Sequence, residues 1–318
     1  MTDSKHISDN DTEPSVRIGR RVTWVGFWSN IFLAVAKILA GIYGRSSAMI
    51  ADGVHSASDL ATDVVVLVVI GASRRKEDKI YTYGHGKIET FASFVIALLL
   101  GAVGVGICAD GASGVIAALR GDMLPRPGWI ALAMAIVSIA IKEWLFHYTR
   151  NAARRINSSA MEANAWHHRS DSFSSAATLA GIAGAMFLGQ KWRILDPVAA
   201  ILVSVLIIVM AWRLGMKSVK ELLEVSLPKE ITDGMLEIIA ETPGVMAFHR
   251  FRSRRNGSRM IVDLHVKVDP GLSVVQGHDI ATVIEHRIKE RYGDVLVNVH
   301  IEPFGDPAAT DRHLSQQS

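Results

Sequence analysis

Apolar residues along the chain fall into six long runs, at about 22–43, 47–71, 90–110, 127–149, 162–188 and 195–214, separated by polar connections. Each is close to the roughly 20 residues that a helix needs to cross a hydrocarbon core, so the first two-thirds of the chain predicts a membrane α-helical bundle of six transmembrane helices. The pattern changes at Leu227-Pro228, where proline ends the helical reading. Beyond it, 230–241 and 274–291 have helical periodicity, whereas 246–254, 258–268 and 295–302 read as strands, the first two joined by the turn Asn256-Gly257. This αββαβ order predicts a small α+β, ferredoxin-like domain with its helices on one face of a sheet. The expected organisation is a polar tail over 1–16, a transmembrane domain over 17–220, a cytoplasmic domain over 226–304 and a second polar tail over 305–318. The first tail has neither the apolar core nor the cleavage site of a signal peptide, and both tails are expected to be disordered.

Composition agrees with the pattern. The 318 residues are 49% hydrophobic and 20% charged, with a mean hydropathy of +0.25, too apolar for a single soluble enzyme domain. One cysteine, Cys108, excludes a disulfide framework or a cysteine zinc cluster within one chain. A net charge of +3 and a pI near 9.0 would suit nucleic acid, but the basic residues flank the apolar runs and are better read as topology signals. Arg17, Arg20, Arg21, Arg74, Arg75, Lys76, Lys79, Lys87, Arg150, Arg154 and Arg155 lie on one side; Arg45, Arg120, Arg126, Lys191 and Arg193 lie on the other. Eleven against five places both termini in the cytoplasm. The short loops favour a bacterial inner membrane, with the lipid bilayer as partner and no nucleic acid.

The informative residues are the polar ones inside the runs. The second run contains ADGVHSASDLATD, in which Asp52, His55, Asp59 and Asp63 follow at spacings of three, four and four and share one helix face. The fifth opens with NAWHHRSDSFSS, where His167 and Asp171 again stand at i and i+4. An ionisable group at the centre of a span costs roughly 2.5–3.5 kcal/mol on insertion scales, so both stripes must face the protein interior or a water-filled path. Two H-x-x-x-D pairs face to face supply two imidazole nitrogens and two carboxylate oxygens, a tetrahedral set suited to zinc and acceptable to cobalt or ferrous iron. Two aspartates neutralise one divalent cation, whereas the same pair ionised and alone would repel in low dielectric; metal and protons therefore compete for these ligands. That competition is the physical basis of a metal/proton antiporter. His168 adjoins the set, but His167 has the i+4 relation to Asp171. Asp52 and Asp63 lie nearer the span ends, where snorkelling or capping is the simpler account. Asn30 and Lys37 share a face of the first span and either line the pathway or pair with a carboxylate.

The runs SAMIADGVHSASD, YTYGHGKIE and ANAWHHRSD, in a chain of six spans followed by an αββαβ domain, resemble the cation diffusion facilitator family from about Arg20 to Pro303. The resemblance implies a homodimer that exports divalent transition metals, commonly zinc, from the cytoplasm in exchange for protons by alternating access. It places the transport site on His55, Asp59, His167 and Asp171; His at 55, where some members have Asp, leans toward zinc. It also implies a metal site in the loop after the second span at Asp78 and His85, with Tyr81 where some members carry another histidine. In the C-terminal domain it implies a metal site, often binuclear and at the dimer interface, on His249, His265, His278, His300 and Glu302. His300 and Glu302 stand at i and i+2 of one strand and share a face. Asp263 and Asp269 are expected on solvated surface. Lys87 and Glu224 match a brace between protomers.

Two other classes compete. A membrane metallohydrolase would need an H-E-x-x-H, a G-x-S-x-G or a spare general base, and the chain has neither motif and no such base beside the predicted ligands. A membrane metal sensor would need only the C-terminal domain, leaving the intramembrane quartet without a purpose. No covalent chemistry is required, and the reading is a transporter, not an enzyme, for which iron, cobalt, nickel and manganese are alternatives to zinc.

Overall fold

The structure, a computed structural model, describes residues 12–72, 79–156, 159–257 and 259–305. Six long helices come first: α1 (Thr12–Tyr43), α2 (Ser47–Ala72), α3 (Gly86–Leu119), α4 (Trp129–Ile156), α5 (Ser159–Phe187) and, after a short 3₁₀ turn at Gln190–Ile194, α6 (Leu195–Leu222). They are followed by α7 (Lys229–Ala240), β1 (Ala247–Asn256), β2 (Arg259–Val268), α8 (Val274–Tyr292) and β3 (Val295–Pro303), the predicted αββαβ order. Arg20–Tyr43, Gly86–Leu119, Trp129–Ile156 and Gln190–Leu222 are long and apolar enough to cross a membrane. Several helices overrun the predicted spans, and α1 starts inside the stretch expected as a tail. The rest of both expected tails, 1–11 and 306–318, lies outside the described residues, as does Asp78.

The chain divides into two compact units, one of residues 1–66 and 95–215, the other of 67–94 and 216–318. In the first, α4 lies along both α5 and α1. The helices approach closely because the contact is made of small side chains: Ala40, Ala48, Ala131, Ala135 and Ala199 surround Met49, Ile182 and Met186. Large apolar residues point outward instead, among them Trp28, Phe32, Leu98, Leu99, Leu202 and Trp212, while Asn30, Lys37, Asp52, His55, Asp59, Lys142, Asp171 and Ser175 are buried. This inversion suits hydrocarbon surroundings and concentrates the chemistry between α1, α2, α4 and α5.

In the second unit β1 pairs antiparallel with β2, and β2 pairs parallel with β3, giving the order β1-β2-β3. Alternate strand residues Met260, Val262, Leu264, Val266, Val295 and Val297 pack with Met235, Ile238 and Ile239 of α7 and Ile284 and Ile288 of α8. The helices thus cover one face, and odd-numbered residues of β2 turn to the other. A capping box between Ser273 and Gln276 starts α8. The β1–β2 turn carries Gly257 at φ 62°, and a Cβ there would come within 2.9 Å of the Gly86 Cα, so glycine lets the hairpin tip lie against the start of α3. Asn256 donates to the Tyr83 carbonyl at 2.7 Å, and the Gly257 N–H donates to Glu221 at 2.7 Å, tying the tip down on both sides.

Candidate functional site

α2 places His55 and Asp59 one turn apart, and α5 brings Asp171 to them. Ligand atoms of His55, Asp59 and Asp171 all lie within 4.8 Å of one another, in three buried residues. Among the described residues neither oxygen of Asp59 nor Nδ1 of His55 has a hydrogen-bond partner. A buried carboxylate with no donor aimed at it is costly, and its retention makes sense for a group whose partner is a cation that comes and goes. His167 stands at the rim. Its Nε2 is 3.9 Å from Asp59 Oδ1, its Nδ1 is 3.9 Å from Asp171 Oδ1, and its side chain is 48% exposed. His168, by contrast, is buried, and neither ring nitrogen has a hydrogen-bond partner among the described residues.

Two lysines enter this interior, one of them not singled out in the sequence reading. Lys142 of α4, fully buried, holds Asp171 Oδ2 at 2.8 Å and donates to Asn30 Oδ1 at 3.0 Å. Lys37 of α1 pairs with Asp52 at 2.8 Å and donates to Ser56 and Ser175, each at 3.0 Å; Ser175 in turn donates to Asp52 and lies 3.2 Å from Ser138. Asp52 therefore neither snorkels nor caps: both it and Lys37 are sealed from solvent, because Lys37 supplies an internal counter-charge. Of the two residues sharing a face of α1, Lys37 pairs with a carboxylate, whereas Asn30 accepts from Lys142.

The second group lies on the open face of the three-stranded sheet. His249 is opposite His265, and His265 is opposite His300, so three histidines form one row across three strands. Glu302, two residues past His300, reaches back to His249 Nε2 at 2.8 Å and His265 Nδ1 at 2.6 Å. Ligand atoms of His249, His265 and Glu302 fall within 4.8 Å of one another, and His300 flanks them with its Nε2 3.9 Å from Glu302. Two imidazoles and one carboxylate fit a metal centre of three protein ligands with an open position. Partial burial acts to raise the Glu302 carboxyl, but the hydrogen bonds from His265 and His249, together with their charge, outweigh it and hold the group down at about 2. His278 does not join this group. It sits on α8, which packs on the opposite face, and lines a cleft with Val299, Ile301 and Glu302 without coming within ligand distance of the group. Asp263 accepts from Asn298 at 2.8 Å, and Asp269 from the Gly271 N–H at 2.8 Å.

Near the start of α3, His85 lies with its ring 4.5 Å from that of Tyr81; its expected partner Asp78 is outside the described residues. Lys87 donates to the Glu221 carbonyl at 2.6 Å and comes within 3.8 Å of Glu224. Within one chain the end of α6 thus runs beside the start of α3.

Residues 23–223 match the model of the cation efflux transmembrane domain, and residues 227–304 match that of the cation efflux protein cytoplasmic domain. Metal tolerance protein C1 of Arabidopsis thaliana is 36% identical over 90% of this chain, which spans 62% of that protein's length. The manganese efflux system protein MneP of Bacillus subtilis is 31% identical over 91% of this chain and 97% of its own. Among solved structures, the metal-bound C-terminal domain of the CzcD transporter from Thermotoga maritima is 26% identical over 26% of this chain and 99% of its own, with a TM-score of 0.24.

Proposed function

Given that the chain belongs to the cation efflux family, the cation diffusion facilitators, we propose that it exports a divalent transition metal, zinc foremost, from the cytoplasm in exchange for protons. The observation that carries this is the buried group of His55, Asp59 and Asp171, in which Asp59 has no hydrogen-bond partner among the described residues. With His167 at the rim, the set offers two nitrogens and two oxygens, and its acids bind either a metal or protons. Zinc enters past His167, is held by His55, Asp59 and Asp171, and leaves on the other side as the helices rearrange and protons take its place. The protein works as a homodimer in the inner membrane with both termini cytoplasmic. Metal on His249, His265 and Glu302 biases it toward the transporting arrangement, a population shift driven by differential affinity. Manganese is the second reading, favoured by the likeness to a protein named for manganese efflux.

The test is uptake into proteoliposomes of the full-length protein, with zinc and manganese in competition and a pH dye inside. Metal movement accompanied by opposite proton movement is expected; Asp59→Ala should abolish both. Wild-type flux in that variant would remove the mechanism, and preference for manganese would reassign the cargo.

A further inference from the structure

We infer that Lys142 is a tethered cation that competes with the transported metal for Asp171 and so sets how tightly the site holds its cargo. The inference rests on the transport reading of the same site. Lys142 is 0% exposed, so it neither snorkels nor marks a membrane boundary. Its ammonium lies 2.8 Å from Asp171 Oδ2, with Asn30 Oδ1 steadying it from the other side at 3.0 Å. The second oxygen, Oδ1, is the one that faces His167. Asp171 is thus divided: one oxygen is held by a fixed cation, and the other is turned toward an incoming one.

Charge makes the division consequential. Asp59 and Asp171 bring two negative charges and Lys142 returns one positive, so a divalent ion changes the group from −1 to +1. Lacking the lysine, the same ion would exactly neutralise the two acids and be held far more firmly. A unit charge at this distance in a buried site corresponds to at least about a tenfold difference in affinity, even after strong damping. A transport site must bind well enough to load and weakly enough to unload; Lys142 supplies the second property. Lys37 differs, because its partners Asp52, Ser56 and Ser175 lie outside the ligand group. A purely structural bridge between α4 and α5 predicts the opposite result: its loss would loosen Asp171 and weaken binding.

The experiment measures zinc and manganese binding to the full-length protein and the concentration dependence of uptake in proteoliposomes. Lys142→Gln should lower Kd and KM by about tenfold or more and lower the maximal rate, because release becomes slow. Lys142→Arg should raise KM severalfold, since a guanidinium fork grips both carboxylate oxygens. Unchanged or weaker binding in Lys142→Gln, or a shift of both variants in the same direction, overturns the inference. If the glutamine variant does not fold, the arginine variant decides, and a KM at or below wild type counts against the lysine. A wild-type protein that neither binds nor moves either metal would sink the transport reading, and this inference with it. Variants that fail these expectations beside a working wild type sink this inference alone.

Discussion

Glu302 in the cytoplasmic domain and Asp59 between the membrane helices are both acids set beside imidazoles, yet their surroundings satisfy them in opposite ways. Glu302 receives hydrogen bonds from His249 and His265 and is held at about 2. Neither oxygen of Asp59 has such a partner among the described residues. A satisfied carboxylate must give up existing bonds to take a metal, so its affinity is the difference between two good arrangements. An unsatisfied one carries the cost of burial already, and every contact a cation makes is gain. The first design suits a ligand set that rests comfortably and responds to concentration; the second suits one that must be emptied by force, which is where Lys142 belongs.

The sharpest way to break this comparison is to neutralise each acid in turn. Asp59→Asn should cut transport at least about a hundredfold yet stabilise the full-length protein by about 1 kcal/mol, because it removes a buried charge with no donor. Thermal unfolding beside a flux assay checks both halves, and a destabilised variant would show that Asp59 is satisfied after all. Glu302→Gln should act with the opposite sign on stability. Read in an Asp59→Ala background, so that only the cytoplasmic ligands contribute, it should weaken metal binding roughly 10–100-fold. It should also flatten the acid limb of stability. The folded-state value of Glu302 is depressed, so its contribution is fully present above the ordinary glutamate range and is lost as pH falls from there toward about 2. An equal acid slope in wild type and variant would assign that slope to other groups. The smallest effect is expected where neither design applies. Lys87→Ala, which removes the 3.8 Å approach to a half-exposed Glu224 but also a bond to the Glu221 carbonyl, should exceed Glu224→Ala, which should change stability by no more than about 0.5 kcal/mol.

The helices and the sheet were legible because period and punctuation speak directly: long apolar runs, Leu227-Pro228, Asn256-Gly257. The H-x-x-x-D spacing likewise led to His55, Asp59 and Asp171, since i and i+4 must share a helix face. What stayed hidden depended on which way a helix is turned. Lys142 stands beside Glu143, and the two together look like the polar end of a span; in the fold Glu143 faces outward toward His147 and Arg169 while Lys142 faces Asp171. The signal was present, because Lys142 follows Ser138 by four residues in an otherwise apolar stretch, and a charge inside a span is a functional candidate by default. Asp52 was misjudged for the same reason: distance from a span end does not reveal that Lys37 waits on the neighbouring helix. His167 and His168 are about 100° apart on α5, and spacing chose the one at the rim while burial falls on the other. His278 was placed with the C-terminal set by family resemblance, and within one chain α8 holds it apart from the group of His249, His265 and Glu302.

The row of His249, His265 and His300 runs across strands rather than along one, and its acid comes from the strand made last. During synthesis all six long helices therefore leave the ribosome before residues 295–303 do, and until those residues slot beside β2 in the right frame the chain owns the buried group of His55, Asp59 and Asp171 but no Glu302. A slip of one residue in that final pairing would turn His300 and Glu302 to the helix-covered side. This row is thus also a check on the domain's assembly: only a chain translated past Glu302 and paired in frame can bring the four residues together.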